Sequence, residues 1–295
     1  MDKPTASIII TTYNRAQLLT ERSLKSALDQ TYKDYEIIVV DDAGEDNTSV
    51  VINQYAQVQY YKFLQNQGLS AARNFGIKQA KGEYVVCLDD DNVLMPEFLE
   101  ETIKEISKNK ETMAIPVGRI IKYKNFEEYA KPYQGLMKFN PIDWGWLIRK
   151  EVFDYIQYDE KLRANEDADF GIQFGKRFFS VSIIDKPLTI AFDTDDPESS
   201  LSFPNERELQ GILYFLEKNL HEYKYYPDEL RCLYRLAGRK FYRGGYKMKG
   251  LNYFWKSFLA KPCFNSFANL FFILFGWFIY NHFMTITERV RAKYV

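Results

Sequence analysis

Lys81-Gly82-Glu83-Tyr84-Val85-Val86-Cys87-Leu88-Asp89-Asp90-Asp91-Asn92 is the stretch that decides the fold. Tyr84 to Leu88 is a short apolar run bounded by turn residues. Such a run reads as a strand buried on both faces, as in a parallel sheet. It stops at three carboxylates. Adjacent acids repel one another and are costly beside an apolar strand. A divalent cation removes the conflict, because Mg²⁺ and Mn²⁺ take hard oxygen ligands, commonly one or two carboxylates plus substrate phosphates. The alternative is a solvated acidic turn, since short acid runs are common on surfaces.

Two further runs upstream have the same character. Ser7-Ile8-Ile9-Ile10 leads into Thr11-Thr12-Tyr13-Asn14, and Glu36-Ile37-Ile38-Val39-Val40 ends at Asp41-Asp42. Val58 to Phe63 alternates like another strand. Helical patterns lie between them: one with Leu18, Leu19, Leu24 and Leu28 behind Asn14 as N-cap, one over Thr48 to Tyr55, and one over Gly68 to Ala80. Pro96 is placed to open the next helix. Strands alternating with helices predict an α/β fold with a doubly wound, mostly parallel sheet flanked by helices. Open α/β sheets bind ligands outside the carboxyl ends of their strands. Asp41-Asp42 and the triplet should therefore share one edge. A carboxylate there can accept from a nucleobase or ribose, and the Tyr13 ring can stack on a base. Arg73, beside Gly68, Ser70 and Asn74, can pair with phosphate. For Thr11 and Tyr13 the alternative is an ordinary strand-to-helix loop, and for Arg73 a surface ion pair. Neither a Gly-x-Gly-x-x-Gly turn nor a P-loop is present.

Beyond Ile115 the pattern is less regular. Asp143-Trp144-Gly145-Trp146 precedes a short strand, Leu147-Ile148. Trp144 and Trp146 could stack on a sugar, with Gly145 leaving room for it, or could be core. Asn165-Glu166-Asp167 precedes a helix over Ala168 to Phe178. Acids at a helix start are favourable for the dipole alone. The chemical alternative is a general base that deprotonates an attacking hydroxyl. Val181–Ile184 and Leu188–Phe192 read as strands, 193–204 as a loop, and the chain from Asn205 as helical.

Composition narrows the classes. The 295 residues are 46% hydrophobic, 27% charged and 17% aromatic, which fits a packed globular chain. The net charge of −1 gives no nucleic-acid footprint. Cys87, Cys232 and Cys263 are widely spaced, without metal-ligand spacing, and read as reduced thiols. Met1-Asp2-Lys3-Pro4 carries no signal-peptide pattern, so a cytoplasmic protein is expected. Lys224 to Lys261 holds ten basic residues against Asp228 and Glu229, interleaved with Tyr and Phe. The nearly all-apolar run 264–283 follows, interrupted by Asn265, Asn269 and Asn281. This combination suits an anionic membrane surface. An in-plane helix, a true span, and a buried or dimer helix are the three readings of 264–283.

Five blocks, in this order, carry a family resemblance: Ser7 to Arg15, Ile37 to Asp42, Gly68 to Gly76, Lys81 to Asp91 and Asn165 to Phe170. The chain resembles the family 2 glycosyltransferases of the GT-A fold over residues 5–203. The resemblance implies an inverting enzyme acting by one in-line displacement. It implies Thr11, Tyr13 and Asp41 as nucleoside-binding positions with Asp42 as neighbour, and Arg73 as a donor-binding arginine. Asp89 and Asp91 resemble the outer members of the Asp-x-Asp motif, with Asp91 the direct ligand of Mn²⁺ or Mg²⁺ and Asp90 near the ribose. Asp167 resembles the catalytic base, preceded by Glu166. The expected organisation is a catalytic domain over 1–204, with a nucleotide-binding half (1–115) and an acceptor half (116–204), then a helical tail over 205–295.

Two departures qualify the resemblance. Gly171-Ile172-Gln173-Phe174-Gly175-Lys176-Arg177 lacks the Gln-x-x-Arg-Trp block of processive members, so single addition is expected. The His that many members carry in the loop after the last strand is absent, since the two histidines are His221 and His282. The expected partners are a nucleotide-sugar donor, with UDP favoured by family frequency, a glycan or lipid-linked acceptor, and the cytoplasmic face of a membrane. An oligomer is compatible with the sequence. A non-catalytic sugar- or nucleotide-binding scaffold and a glycoside hydrolase are the competing functions.

Overall fold

The computed structural model describes residues 3–123, 126–132, 145–178, 180–192 and 205–263. Trp144, the loop 193–204 and the apolar run 264–283 lie outside the described residues. The chain forms two compact units, residues 1–200 and 201–295.

In the first unit, β1 (Ala6–Thr12), β2 (Tyr35–Asp41), β3 (Val58–Lys62) and β4 (Tyr84–Asp89) pair in the order β3-β2-β1-β4, all parallel. Then come β5 (Val93–Leu94), β6 (Ala114–Ile115), β7 (Val117–Lys122), β8 (Glu127–Ala130), β9 (Leu147–Arg149) and β10 (Ile184–Phe192). β9 joins β4 antiparallel and β6 closes that six-stranded sheet. β5, β10, β7 and β8 make a second, four-stranded sheet in that order.

The strand alternation explains the layering. Ile8, Ile10, Ile37, Val39, Val86 and Leu88 pack on one face, and Ile9, Ile38, Val40, Val85 and Cys87 on the other. The parallel strands are hydrophobic throughout because both faces are covered. Each such fully buried Ile or Val contributes about 1.5–3 kcal/mol relative to exposure. One face is covered by helices α1 (Ala16–Leu18) and α2 (Leu24–Leu28), which run on through a π turn, Leu19–Ser23. α3 (Thr48–Ile52) is shorter than the sequence pattern suggested. α4 (Leu69–Gln79) covers the other face, and Gly76 lets it lie close: a Cβ there would come within 2.4 Å of Ile9.

Other boundaries also differ from expectation. Asn14 does not cap a helix. It is left-handed (φ 53°) and its side chain accepts from Glu45 N at 2.6 Å. The α1 amide of Ala16 is satisfied instead by Asp46, at 2.8 Å, a partner thirty residues away that no local pattern shows. α5 (Phe98–Ile106) begins two residues after Pro96, because Pro96 sits in a turn whose carbonyl accepts from Thr31 N. α6 (Glu166–Arg177) starts two residues before the predicted helix, so Glu166 and Asp167 are its first residues. Val181 makes only an isolated bridge to Ala114, and the rest of that region is the single irregular strand β10.

The second unit holds α7 (Glu206–Tyr223), α8 (Pro227–Arg243) and α9 (Lys247–Ala260). Asn205 caps α7 by accepting from Glu208 N at 2.9 Å. Gly245, at φ +87°, turns α8 back onto α9, where Phe241 and Tyr253 stack at 5.4 Å. No helix of the described residues is long and apolar enough to cross a membrane.

Candidate active site

The parallel register brings the polar strand ends together. Thr12 lies opposite Asp41 on β2, and Thr11 opposite Asp89 on β4. Four residues after β4 the chain enters β5 of the other sheet, so the acidic triplet spans the joint between the sheets.

Two arginines serve the acids of the triplet. Asp89 accepts from Arg73 at 2.7 Å. Asp90 is buried, accepts from the Thr12 hydroxyl at 2.8 Å and pairs with Arg15 at 3.0 Å. Asp91, partly exposed, pairs with the same Arg15 nitrogen at 2.8 Å, and its backbone carbonyl accepts from Arg22 at 3.1 Å. Burial pushes the Asp90 carboxyl up to about 6, with Asp91 adding to it and with Arg15 and Thr12 pulling the other way.

Arg73 is the hub. It is 2% exposed and joins Asp89 to Glu166, the latter at 3.4 Å. Its guanidinium lies 5.2 Å from the Tyr158 ring centroid, and Tyr158 stacks on Phe170 of α6. Burial alone would lower the Arg73 pKa, but Asp89, Tyr158 and Glu166 hold it well above its ordinary value. The triplet and the Glu166-Asp167 pair are therefore one site, tied through α4. Asp167, half-buried, accepts from Ala168 N at 2.8 Å. Asp169 is fully buried and held by Gln173 at 2.7 Å.

The other expected residues fare unequally. Tyr13 is 43% exposed at the strand edge, which suits a stacking ring. The Thr11 hydroxyl and Arg73 Nε are buried without a hydrogen-bond partner, so both have unused capacity beside the acids. Asp41 is 0% exposed, with Gly44 N and the Tyr60 hydroxyl each at 2.7 Å. Asp42 accepts from Gln67 N at 2.6 Å and Gly68 N at 2.8 Å, which anchors the start of α4. Both acids hold loops here. Of the two readings of Trp146, its packing favours core: at 6% exposure it lies in the cluster with Ile148, Val152 and Phe153. Gly145, at φ +79°, is needed for close approach of the backbone, since a Cβ would come within 2.9 Å of Thr189. Cys87 is inert, because burial raises its thiol to about 11.

Sequence reasoning passed over Arg15, Thr12 and Tyr158. Arg15 closes the first motif block and could have been flagged as a cation beside acids, whereas nothing in the pattern marked Tyr158. Among the described residues, no three His, Cys, Asp or Glu side chains are arranged to hold a metal by themselves. Asp89 and Asp91 do fit the sparser mode, in which one or two carboxylates share a divalent ion with substrate phosphates. Both are hard oxygen donors and both side chains are partly exposed.

Residues 7–170 match the family model described as Glycosyl transferase family 2. The chain belongs to the family 2 glycosyltransferases. It is 38% identical over 233 residues to an uncharacterized glycosyltransferase of Rickettsia typhi, covering 73% of this chain and 72% of the relative. It is 27% identical over 206 residues to an uncharacterized glycosyltransferase of Methanocaldococcus jannaschii, covering 64% and 70%. Its fold resembles that of S. aureus TarS 1-349 in complex with UDP-GlcNAc, with a TM-score of 0.62, 20% identity and coverage of 88% and 82%. It also resembles the mannosyltransferase PcManGT from Pyrobaculum calidifontis in complex with GDP-Man and Mn2+, with a TM-score of 0.59, 17% identity and coverage of 99% and 86%. The architecture is GT-A.

Proposed function

We propose that the protein transfers one sugar from a nucleotide-sugar donor to a hydroxyl of a glycan or lipid-linked acceptor, with inversion, in surface polysaccharide or glycoconjugate synthesis. The observation that carries this reading is the Arg73 bridge from Asp89 to Glu166. It unites a diphosphate-facing edge with a general-base position. In this reading the Tyr13 ring stacks on the base and the Thr11 hydroxyl meets the nucleoside. Arg73 fixes the positions of Asp89 and the start of α6. Asp167 accepts the proton of the attacking hydroxyl, while Glu166, already paired to Arg73, orients the helix start. Asp91 and Asp89 would hold Mn²⁺ or Mg²⁺, which when bound supplies charge stabilisation to the departing diphosphate.

The neighbours bound to UDP-GlcNAc and to GDP-Man with Mn2+ support a nucleotide-sugar donor and a divalent ion but differ in the nucleotide. Calorimetric titration with UDP and with GDP, with and without Mn²⁺, is therefore the direct test. At least one nucleoside diphosphate should bind more tightly with Mn²⁺, and Asp91→Ala should remove that gain. Binding indifferent to both Mn²⁺ and the substitution overturns the ion assignment.

The tail supports work at an anionic membrane surface. On α9, Met248, Trp255 and Leu259 are exposed at helical spacing, flanked by Lys249 and Lys256. Removing residues 264–295 should shift the protein from the membrane to the supernatant fraction. A truncated chain that stays with membranes refutes that role for the segment.

A further inference from the structure

One nitrogen of Arg15, Nη1, serves two carboxylates: Asp90 at 3.0 Å and Asp91 at 2.8 Å. The two acids are held differently. Asp90 is buried and also has the Thr12 hydroxyl. The Asp91 side chain is 29% exposed, and among the described residues Arg15 is the cation paired to its carboxylate. Arg22, from the π turn, binds the Asp91 backbone carbonyl instead and lies 3.9 Å over the Phe192 ring. Arg15 is itself 22% exposed, so it has room to release Asp91 while keeping Asp90.

We propose that Arg15 is a displaceable counter-ion: it holds Asp91 in the free protein and makes binding of the divalent ion depend on the nucleoside diphosphate. The inference rests on the reading that Asp91 holds that ion. A dication approaching Asp91 alone meets a guanidinium already in contact with the same carboxylate, and like charges at that range oppose each other. A diphosphate reverses the balance. It brings negative charge and oxygen ligands for the ion, and it offers the released guanidinium a phosphate acceptor, for which Arg is well shaped. Ion and diphosphate then favour each other, and linkage requires the factor to be the same in both directions. Arg15 is thus a positioning residue that ties metal occupancy to donor occupancy.

The test titrates the full-length protein with Mn²⁺ alone and follows free Mn²⁺ by its paramagnetic resonance signal. Titrations with UDP and with GDP present follow. Arg15→Met keeps the aliphatic stem and removes the charge. It should bind Mn²⁺ alone about tenfold more tightly than the parent, and the gain in Mn²⁺ affinity brought by the diphosphate should shrink by the same factor. Adding Asp91→Asn to Arg15→Met should erase the improvement. Arg15→Gln, which keeps a donor for buried Asp90, repeats the measurement should the Met variant fail to fold. The inference is overturned if these variants bind Mn²⁺ alone no better than the parent while Asp91→Asn by itself weakens binding. If Asp91→Asn by itself changes nothing, the ion assignment fails and the inference falls with it. Different variants report the two failures.

Discussion

Asp167→Asn should lower transfer turnover by about 10²–10⁴-fold, the contribution of a positioned general base. The affinity for nucleoside diphosphate should stay within about twofold of the parent, because a base acts only on the attacking hydroxyl. The structure separates the three acids that open α6. Asp169 is fully buried against Gln173 and cannot reach an acceptor. Glu166 is engaged by Arg73 at 3.4 Å, which fixes it at the start of the helix. Asp167 is half-buried and accepts from Ala168 N of its own helix at 2.8 Å. Single-turnover assays with a released-nucleotide readout measure the effect. Turnover within about tenfold of the parent would assign the base elsewhere and remove the clearest distinction from a mere binding scaffold.

Arg73→Met should cost about 3 kcal/mol of stability, the low end for breaking a buried ion pair. The low end applies because the Asp89 and Glu166 side chains are 27% and 15% exposed and can regain some water. For a domain of this size that is a fall of about 6–12 °C in melting temperature. Donor binding should be lost as well, since Asp89 and the start of α6 lose their common partner. Arg73→Lys should recover part of the stability but not the two-armed bridge. An unshifted melt for the Met variant would show that the bridge is incidental.

Much of this edge was legible because its physics is local. Ile8 to Ile10, Ile37 to Val40 and Val85 to Leu88 are continuous apolar runs that suit a doubly covered strand, and polar residues stop each of them: threonines after the first, acids after the other two. The second sheet was only partly legible. Leu188–Phe192 read as a strand, but β5 has two residues and the register shifts around Pro187 hid that β10 begins at Ile184. Long-range pairing also decided the errors. Asn14 looked like a cap, but the cap comes from Asp46. Trp146 was open between sugar platform and core, and its neighbours Ile148 and Phe153 favour core. Arg73 was open between a cation for phosphate and a surface ion pair, and its two partners, Asp89 and Glu166, are fixed only by the fold.

The joint between the two sheets has a practical meaning. Asp89 ends a strand of the six-stranded sheet, and Val93-Leu94 is already zipped to Ile190 and Thr189 in the other. The geometry of the intervening acids is thus written by two ladders at once, not by the tripeptide. Copying Asp-Asp-Asp onto the end of a strand in another scaffold would transplant the charges without their spacing. A working graft would have to carry a stretch of β10 with it, and a library that varies Thr189 and Ile190 would tune the site without touching a single acid.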